Sequence, residues 1–311
     1  MTETLVLYSN IAVYSAMAIY AVAFVMFTLD LSRRAAVVAA PVVTASANGY
    51  TTVLEKVETA EAPRIPKYLR AAMALTVLGW VLHVGATVLR GIAAGRVPWA
   101  NMFEFTLTAS AVIVAVFLVV QFWQDLRFLG AFLTGFVALA LGIAATNFYV
   151  DVVPLVPALK SAWLVIHVFV ASLGTGFFAL GAALSVVQLL KARRAAKATG
   201  LRFLDTLPGA ERLESMAYRM IVVGFVFWTF TLIAGAIWAA SAWGRYWGWD
   251  TKEVWTFVIW TIYAGYIHAR ATRGWRGSRS AWLAIVGFTA VIFNFTIVNL
   301  FFKGFHAYSG L

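Results

Sequence analysis

Eight consecutive residues, Trp243-Gly-Arg-Tyr-Trp-Gly-Trp-Asp250, and four histidines are where this 311-residue chain can do chemistry. The run joins two apolar stretches, a position where a loop is ordinarily polar. Three indoles and a phenol, with Arg245 and Lys252 beside them, suit a flat, greasy, partly anionic ligand, and haem fits that description. His83, His167, His268 and His306 are the only strong iron ligands, because the chain has no cysteine. That absence also excludes disulfides and zinc–thiolate sites. The chain itself can neither form a thioether to haem nor shuttle disulfides.

Interfacial anchoring competes with the ligand reading. An aromatic belt places a Trp or two at each helix end. Here Trp238, Trp243, Trp247, Trp249 and Trp255 crowd one connection, and composition leaves both readings open. Trp243 and Trp247 are four apart and would share a face on a short surface helix. Asp250 is expected to cap a helix starting near Thr251, accepting from the backbone N–H of Lys252 or Glu253.

The elements that must position these groups are membrane spans. The chain is 62% hydrophobic and 12% charged, with a mean hydropathy of +0.85. That composition belongs to a polytopic membrane protein rather than a soluble domain. A helical span takes about 20 apolar residues. Eight stretches qualify, at 5–29, 69–90, 100–122, 128–148, 161–190, 217–241, 253–271 and 281–302. They are apolar all round, which excludes the alternation of a membrane β-barrel. The expected fold is an all-α helical bundle of eight spans with an outward Trp-rich loop. Residues 1–68 form the first span and a Pro-containing linker, and 69–311 form the main membrane domain, with the loop region at 238–255.

The net charge of +11 does not indicate nucleic acid. The Lys and Arg residues follow the gaps between spans, 18 on one side and six on the other. The positive-inside rule makes the basic side cytoplasmic, so both termini and the Trp-rich loop face outward. The long first span is followed by no small-residue cleavage site, so no cleavable signal peptide is expected.

Depth sorts the histidines. If the fifth span leaves the inner face at Lys191, about 20 residues back is near Ala171. His167 then lies roughly 6 Å further out. His306, past Leu300, is also outside, so both reach the surface that carries the loop. Together they could ligate haem iron from both faces. His83 sits roughly 18 Å from the inner boundary and His268 roughly 3 Å from it. That gap counts against one shared iron without excluding it, and each could instead bond between helices. Glu104 near the top of the third span needs a partner. Either Arg90 or a backbone donor would serve, with proton handling or pocket shaping as the other reading.

Several separated segments then resemble one family. Trp243 through Asp250-Thr-Lys-Glu-Val-Trp255 looks like the "WWD" signature of haem-handling membrane proteins. Pro157-Ala-Leu-Lys-Ser-Ala-Trp-Leu-Val-Ile-His167 resembles the segment with a first external histidine, and Gly304-Phe-His-Ala-Tyr308 the segment with a second. His83 through Pro98-Trp-Ala-Asn-Met-Phe-Glu104 and Ile267-His-Ala-Arg270 resemble its other conserved stretches. Their order is similar to that of the CcsA/ResC family of System II cytochrome c biogenesis. Thr251 stands where the family usually has proline, and Phe305 and Ala307 replace Leu and Ser.

The resemblance implies a haem-handling subunit of a holocytochrome c synthase in a bacterial plasma membrane or thylakoid-type membrane. It implies haem b as substrate and ligand, axial ligation by His167 and His306, and a possible second site at His83 and His268. It further implies a ResB/Ccs1-type membrane partner, apocytochrome c with Cys-x-x-Cys-His, and a thiol-reducing thioredoxin-like protein in the pathway. Trp243, Trp247, Trp249, Asp250, Trp255, Arg245 and Lys252 would form the haem platform. Two alternatives are a small-molecule or haem transporter without synthase activity and a membrane cytochrome that keeps its haem. Few Gly/Pro interruptions in the spans speak against a broken-helix transporter.

Overall fold

The computed structural model describes residues 2–39, 66–152, 160–197, 201–272, 274–302 and 304–305. Among them every regular element is helical: α1 (Thr2–Ala39), α2 (Lys67–Ala94), α3 (Met102–Val120), α4 (Gly130–Asn147), α5 (Ala162–Lys197), α6 (Ala210–Trp243), α7 (Thr251–Thr272), α8 (Ser278–Phe295) and α9 (Ile297–Phe301). The fold is the all-α polytopic membrane bundle that the composition implies. His306 lies outside the described residues.

Helices α1 to α8 occupy the eight expected positions. Among the described residues seven spans are long and apolar enough to cross a membrane, α8 and α9 together making the last. The exception is α7, where Trp255, Trp260, Tyr263, Tyr266 and several threonines lower the hydropathy. The last expected stretch, 281–302, is not one continuous helix. It is interrupted at Thr296 (φ −93°, ψ −73°), where α8 gives way to α9. Thr296 Oγ1 bonds back to the Ile292 carbonyl at 2.7 Å, a contact that bends helices.

Helix α3 is the axis of the bundle. Leu107, Val114 and Phe117 are fully buried along it, because it packs on α2, α4 and α5. A helix that is apolar all round belongs in such a place. Helices α1, α2 and α4 stand on one side of it, and α5 carries α6 and α8 on the other. Small residues let α5 and α6 approach closely. A Cβ on Gly181 would fall 2.6 Å from Ile221 Cγ1, and one on Gly224 2.8 Å from Phe178 Cδ1.

Two buried carboxylates tie the ends of the helices. Glu104 accepts from Arg90 Nε (3.3 Å), Arg96 Nη1 (2.6 Å) and the backbone N–H of Ala100 (3.0 Å). At the opposite end, Glu214 of α6 accepts from Arg270 (2.7 Å), the N–H of Gly277 (3.0 Å) and Ser280 Oγ (3.1 Å). One side chain therefore joins α6, the end of α7 and the start of α8. Nothing in the spacing of the basic linker singled it out.

Candidate functional site

The first half of the Trp-rich loop owes its shape to glycine. Helix α6 ends at Trp243 because Gly244 adopts a left-handed conformation (φ 70°), which costs glycine little. The chain from Gly244 to Asp250 is not helical. Trp243 and Trp247 therefore do not share a helix face, which corrects the spacing argument. Trp247 instead meets Trp249 edge to face at 5.8 Å, and Trp249 is 78% exposed.

The second half is held by a reciprocal cap. Asp250 Oδ2 accepts from Lys252 N (3.3 Å), and Glu253 Oε2 accepts from the backbone N–H groups of Asp250 (3.0 Å) and Gly248 (2.8 Å). The cap by Asp250 at the start of α7 is the one its position predicted, and the return bonds to Glu253 add to it in the manner of a capping box. The other oxygen of Asp250 accepts from the backbone N–H of Phe305 at 2.9 Å. Phe305 packs on Trp243 (ring centroids 5.2 Å), and the Arg245 guanidinium lies over its ring at 4.5 Å. The residue before His306 is thus fastened to the loop.

His167 is half-buried in the second turn of α5. Its Nδ1 lies 3.0 Å from the Thr231 carbonyl, so that nitrogen donates to it, and in the neutral ring the lone pair is then on Nε2. The ring stacks on Trp238 at 5.9 Å and 21°, and Trp238 meets Trp243 at 4.8 Å. His167, Trp238, Trp243 and Phe305 therefore form a continuous aromatic path. Gly235 makes room for the imidazole, since a Cβ there would lie 2.8 Å from His167 Cε1. Thr231, Gly235 and Trp238 follow helical spacing and so face His167 together. That stripe was legible in the sequence but was not read there.

Below the loop lies a cavity of about 390 Å³, walled chiefly by apolar groups of α3 to α8, within the usual size range for a small-molecule site. His167, Trp247, Lys252 and Glu253 line its loop end. Arg245 Nη2 is buried without a hydrogen-bond partner. Lys252 bonds through Nζ to the Asn299 side chain, so its ammonium is already engaged.

The remaining candidates lie elsewhere. Trp255 packs on Phe293 of α8 at 4.4 Å as a helix-packing residue. Glu104 is enclosed by Arg90, Arg96 and a backbone donor, which matches the structural reading of that carboxylate. His83 is fully buried, with Nε2 2.8 Å from the Leu107 carbonyl and Nδ1 3.4 Å from Tyr20 Oη. His268 is exposed on α7, which packs on α6 and α8. The structure does not bring those two histidines together.

A bundle of apolar helices that gathers a histidine, a capped Trp-rich loop and a cavity at one end defines an integral membrane protein. The family profile described as Cytochrome C assembly protein matches residues 99–306. The cytochrome c biogenesis protein CcsA of Porphyra purpurea is 32% identical over 291 residues, covering 80% of this chain and 90% of the relative. CcsA of Synechococcus elongatus is 33% identical over 291 residues, covering 78% and 88%. The chain belongs to the CcsA family of cytochrome c assembly proteins, and its role lies in cytochrome c biogenesis. Among solved structures, the cytochrome c haem lyase CcmF has a similar fold, with a TM-score of 0.64 at 16% identity. The match covers 94% of this chain and 46% of CcmF.

Proposed function

We propose that the protein receives haem b at the outer face of the membrane and presents it to apocytochrome c as part of a System II synthase. The Trp-rich loop is the platform, and His167 and His306 are the axial ligands. The observation that carries this reading is the His167 imidazole. The Thr231 carbonyl sets its tautomer, Trp238 orients its ring, and it stands at the cavity wall beside the loop. A ring nitrogen that donates to a carbonyl makes its partner nitrogen a better metal ligand. The attachment of Phe305 to Asp250 and Trp243 supports the second ligand, because it ties the chain next to His306 to the same surface.

The residues fit the group. Exposed Trp249 and half-buried Trp247 offer indole faces. The unpartnered Nη2 of Arg245 offers a donor to a propionate, the role that Lys252 is less suited to fill. Each substrate thiol adds across one vinyl C=C, sulfur taking one carbon and the proton the other, so no atom is left over. The protein's share is to hold the haem still and dry while the Cys-x-x-Cys-His segment docks. The substrate's histidine then replaces one axial imidazole and releases the product. The partners in this reading are a ResB/Ccs1-type subunit, apocytochrome c and a thiol-reducing thioredoxin-like protein, with the loop and both termini extracytoplasmic.

The test is co-purification with the ResB/Ccs1-type subunit, followed by reduced absorption spectra. A bis-imidazole spectrum is expected, with loss of bound haem and of cytochrome c maturation in His167→Ala and His306→Ala. Unchanged haem content and maturation in both variants would contradict the reading. A transporter would move its substrate without haem or a cytochrome c partner, and a membrane cytochrome would keep its haem through turnover.

A further inference from the structure

Trp249 is the one non-glycine residue with a positive φ among the described residues, at 60°. In that left-handed region an L side chain crowds the following carbonyl, so a bulky residue there is an outlier. Glycine takes the conformation freely, yet Gly248, one position away, does not adopt it. Gly248 has a different task, since a Cβ there would overlap the Arg245 guanidinium. The loop thus places an indole where glycine would be at ease.

The backbone N–H groups on either side of Trp249 show what holds it. Those of Gly248 and Asp250 both donate to Glu253 Oε2, at 2.8 and 3.0 Å. A left-handed residue makes such a concave turn, in which nearby N–H groups converge on one anion. Helix capping accounts for the bond from Asp250 N. It does not require the bond from Gly248, which lies five residues before Glu253 and outside α7. Simple anchoring at the membrane surface does not require it either, since belt tryptophans sit on ordinary helix ends. The clamped indole is 78% exposed and meets Trp247 edge to face at 5.8 Å. Trp247 and Glu253 both line the loop end of the cavity.

We propose that Glu253 is a positioning residue of the haem platform. Its carboxylate holds Trp249 left-handed and so fixes the face that this indole presents beside Trp247. The proposal rests on the haem reading above. Without the clamp the left-handed state is disfavoured by a factor of about 5–30, which is what its steric penalty amounts to. A ligand that needs the pose then loses apparent affinity by the same factor.

The experiment has one readout that involves no haem. The full chain is labelled with 5-fluorotryptophan in lipid nanodiscs, and Trp249→Phe identifies the Trp249 signal in the fluorine NMR spectrum. Glu253→Ala is expected to shift or broaden that signal. Glu253→Gln should restore it, because one amide oxygen can accept from both N–H groups. The second readout titrates reduced haem b into the chain co-purified with the ResB/Ccs1-type subunit. Glu253→Ala should weaken binding about 5–30-fold, and Glu253→Gln should stay near the unsubstituted chain. Trp249→Gly, at ease in this conformation, should weaken binding without lowering the melting temperature. Were Glu253→Ala to yield no folded protein, Glu253→Asp, shorter by one methylene, would carry the same comparison. An unmoved Trp249 signal in Glu253→Ala would overturn the proposal whatever haem does. A moved signal with unchanged haem affinity would overturn it too. So would a Glu253→Gln variant as impaired as Glu253→Ala, by showing that the charge or proton matters rather than the acceptor. Absence of haem binding in the unsubstituted chain would sink the haem reading, while the fluorine signal would still decide whether Glu253 holds Trp249.

Discussion

The carboxylate of Asp250 accepts the backbone N–H of Phe305 at 2.9 Å while its other oxygen caps α7 through Lys252. One side chain thus fastens the end of the Trp-rich loop to a segment 55 residues later in the chain. Asp250 is 9% exposed, so both bonds are sheltered from competing water. Asp250→Ala removes the helix cap and the anchor of Phe305 together. The expected loss is about 1–2 kcal/mol for the cap and about 1–3 kcal/mol for the N–H groups left unpaired. Asp250→Asn keeps an acceptor and should lose less. Thermal unfolding, with protease nicking near residues 302–305, would separate the two variants. Equal behaviour of Ala and Asn would show that the anchor contributes little.

Gly235 is the space that His167 needs. A methyl group there would stand 2.8 Å from Cε1 and 2.9 Å from Nδ1, and the imidazole would have to leave the Thr231 carbonyl. Gly235→Ala is expected to reduce haem retention several-fold, since misplacing a ligand by about 1 Å is costly. The melting temperature should change little, because alanine suits a helix better than glycine. Reduced-haem absorbance per protein checks this, and unchanged occupancy would detach His167 from haem binding.

Glu104 is the hub of a buried network. Glu104→Ala would leave Arg90, which is fully buried, without its ion-pair partner. The expected loss is about 3–5 kcal/mol. Glu104→Gln keeps an acceptor for Ala100 N–H but loses the charge facing two guanidiniums, so an intermediate loss is expected. Yield and melting temperature in detergent measure both. A proton-handling role would instead show as lost cytochrome c maturation at unchanged stability in Glu104→Gln.

At the opposite end, Arg194 of α5 donates to Asp205 at 2.7 Å. The hydrogen bond from Arg194 holds the Asp205 carboxyl below the usual carboxylate range. A depressed folded-state pKa means the contact is fully formed above the unfolded value, near 3.9, and is lost as pH falls through the folded one. Hydrogen exchange in Arg202–Thr206, corrected for intrinsic rates, should accelerate below pH 4. Asp205→Asn should show the faster rate already at pH 7. The effect is local, because an exposed ion pair contributes little to global stability.

The spans, the all-helical fold and the residues of interest were legible in the primary structure because they rest on short-range properties. Long apolar runs need the bilayer, aspartate before a helix caps it, and the His, Trp and Arg residues carry their chemistry wherever they lie. Even the bend at Thr296 has a local cause in its bond to Ile292. The arrangement of the site rests on contacts between distant segments. Thr231 and Trp238 select the tautomer and plane of His167, Asp250 holds Phe305, and His83 is enclosed between α1 and α3 rather than paired with His268. Hydrogen bonds and ring contacts act over a few ångströms, so only the folded bundle, which brings remote residues within that reach, could decide them.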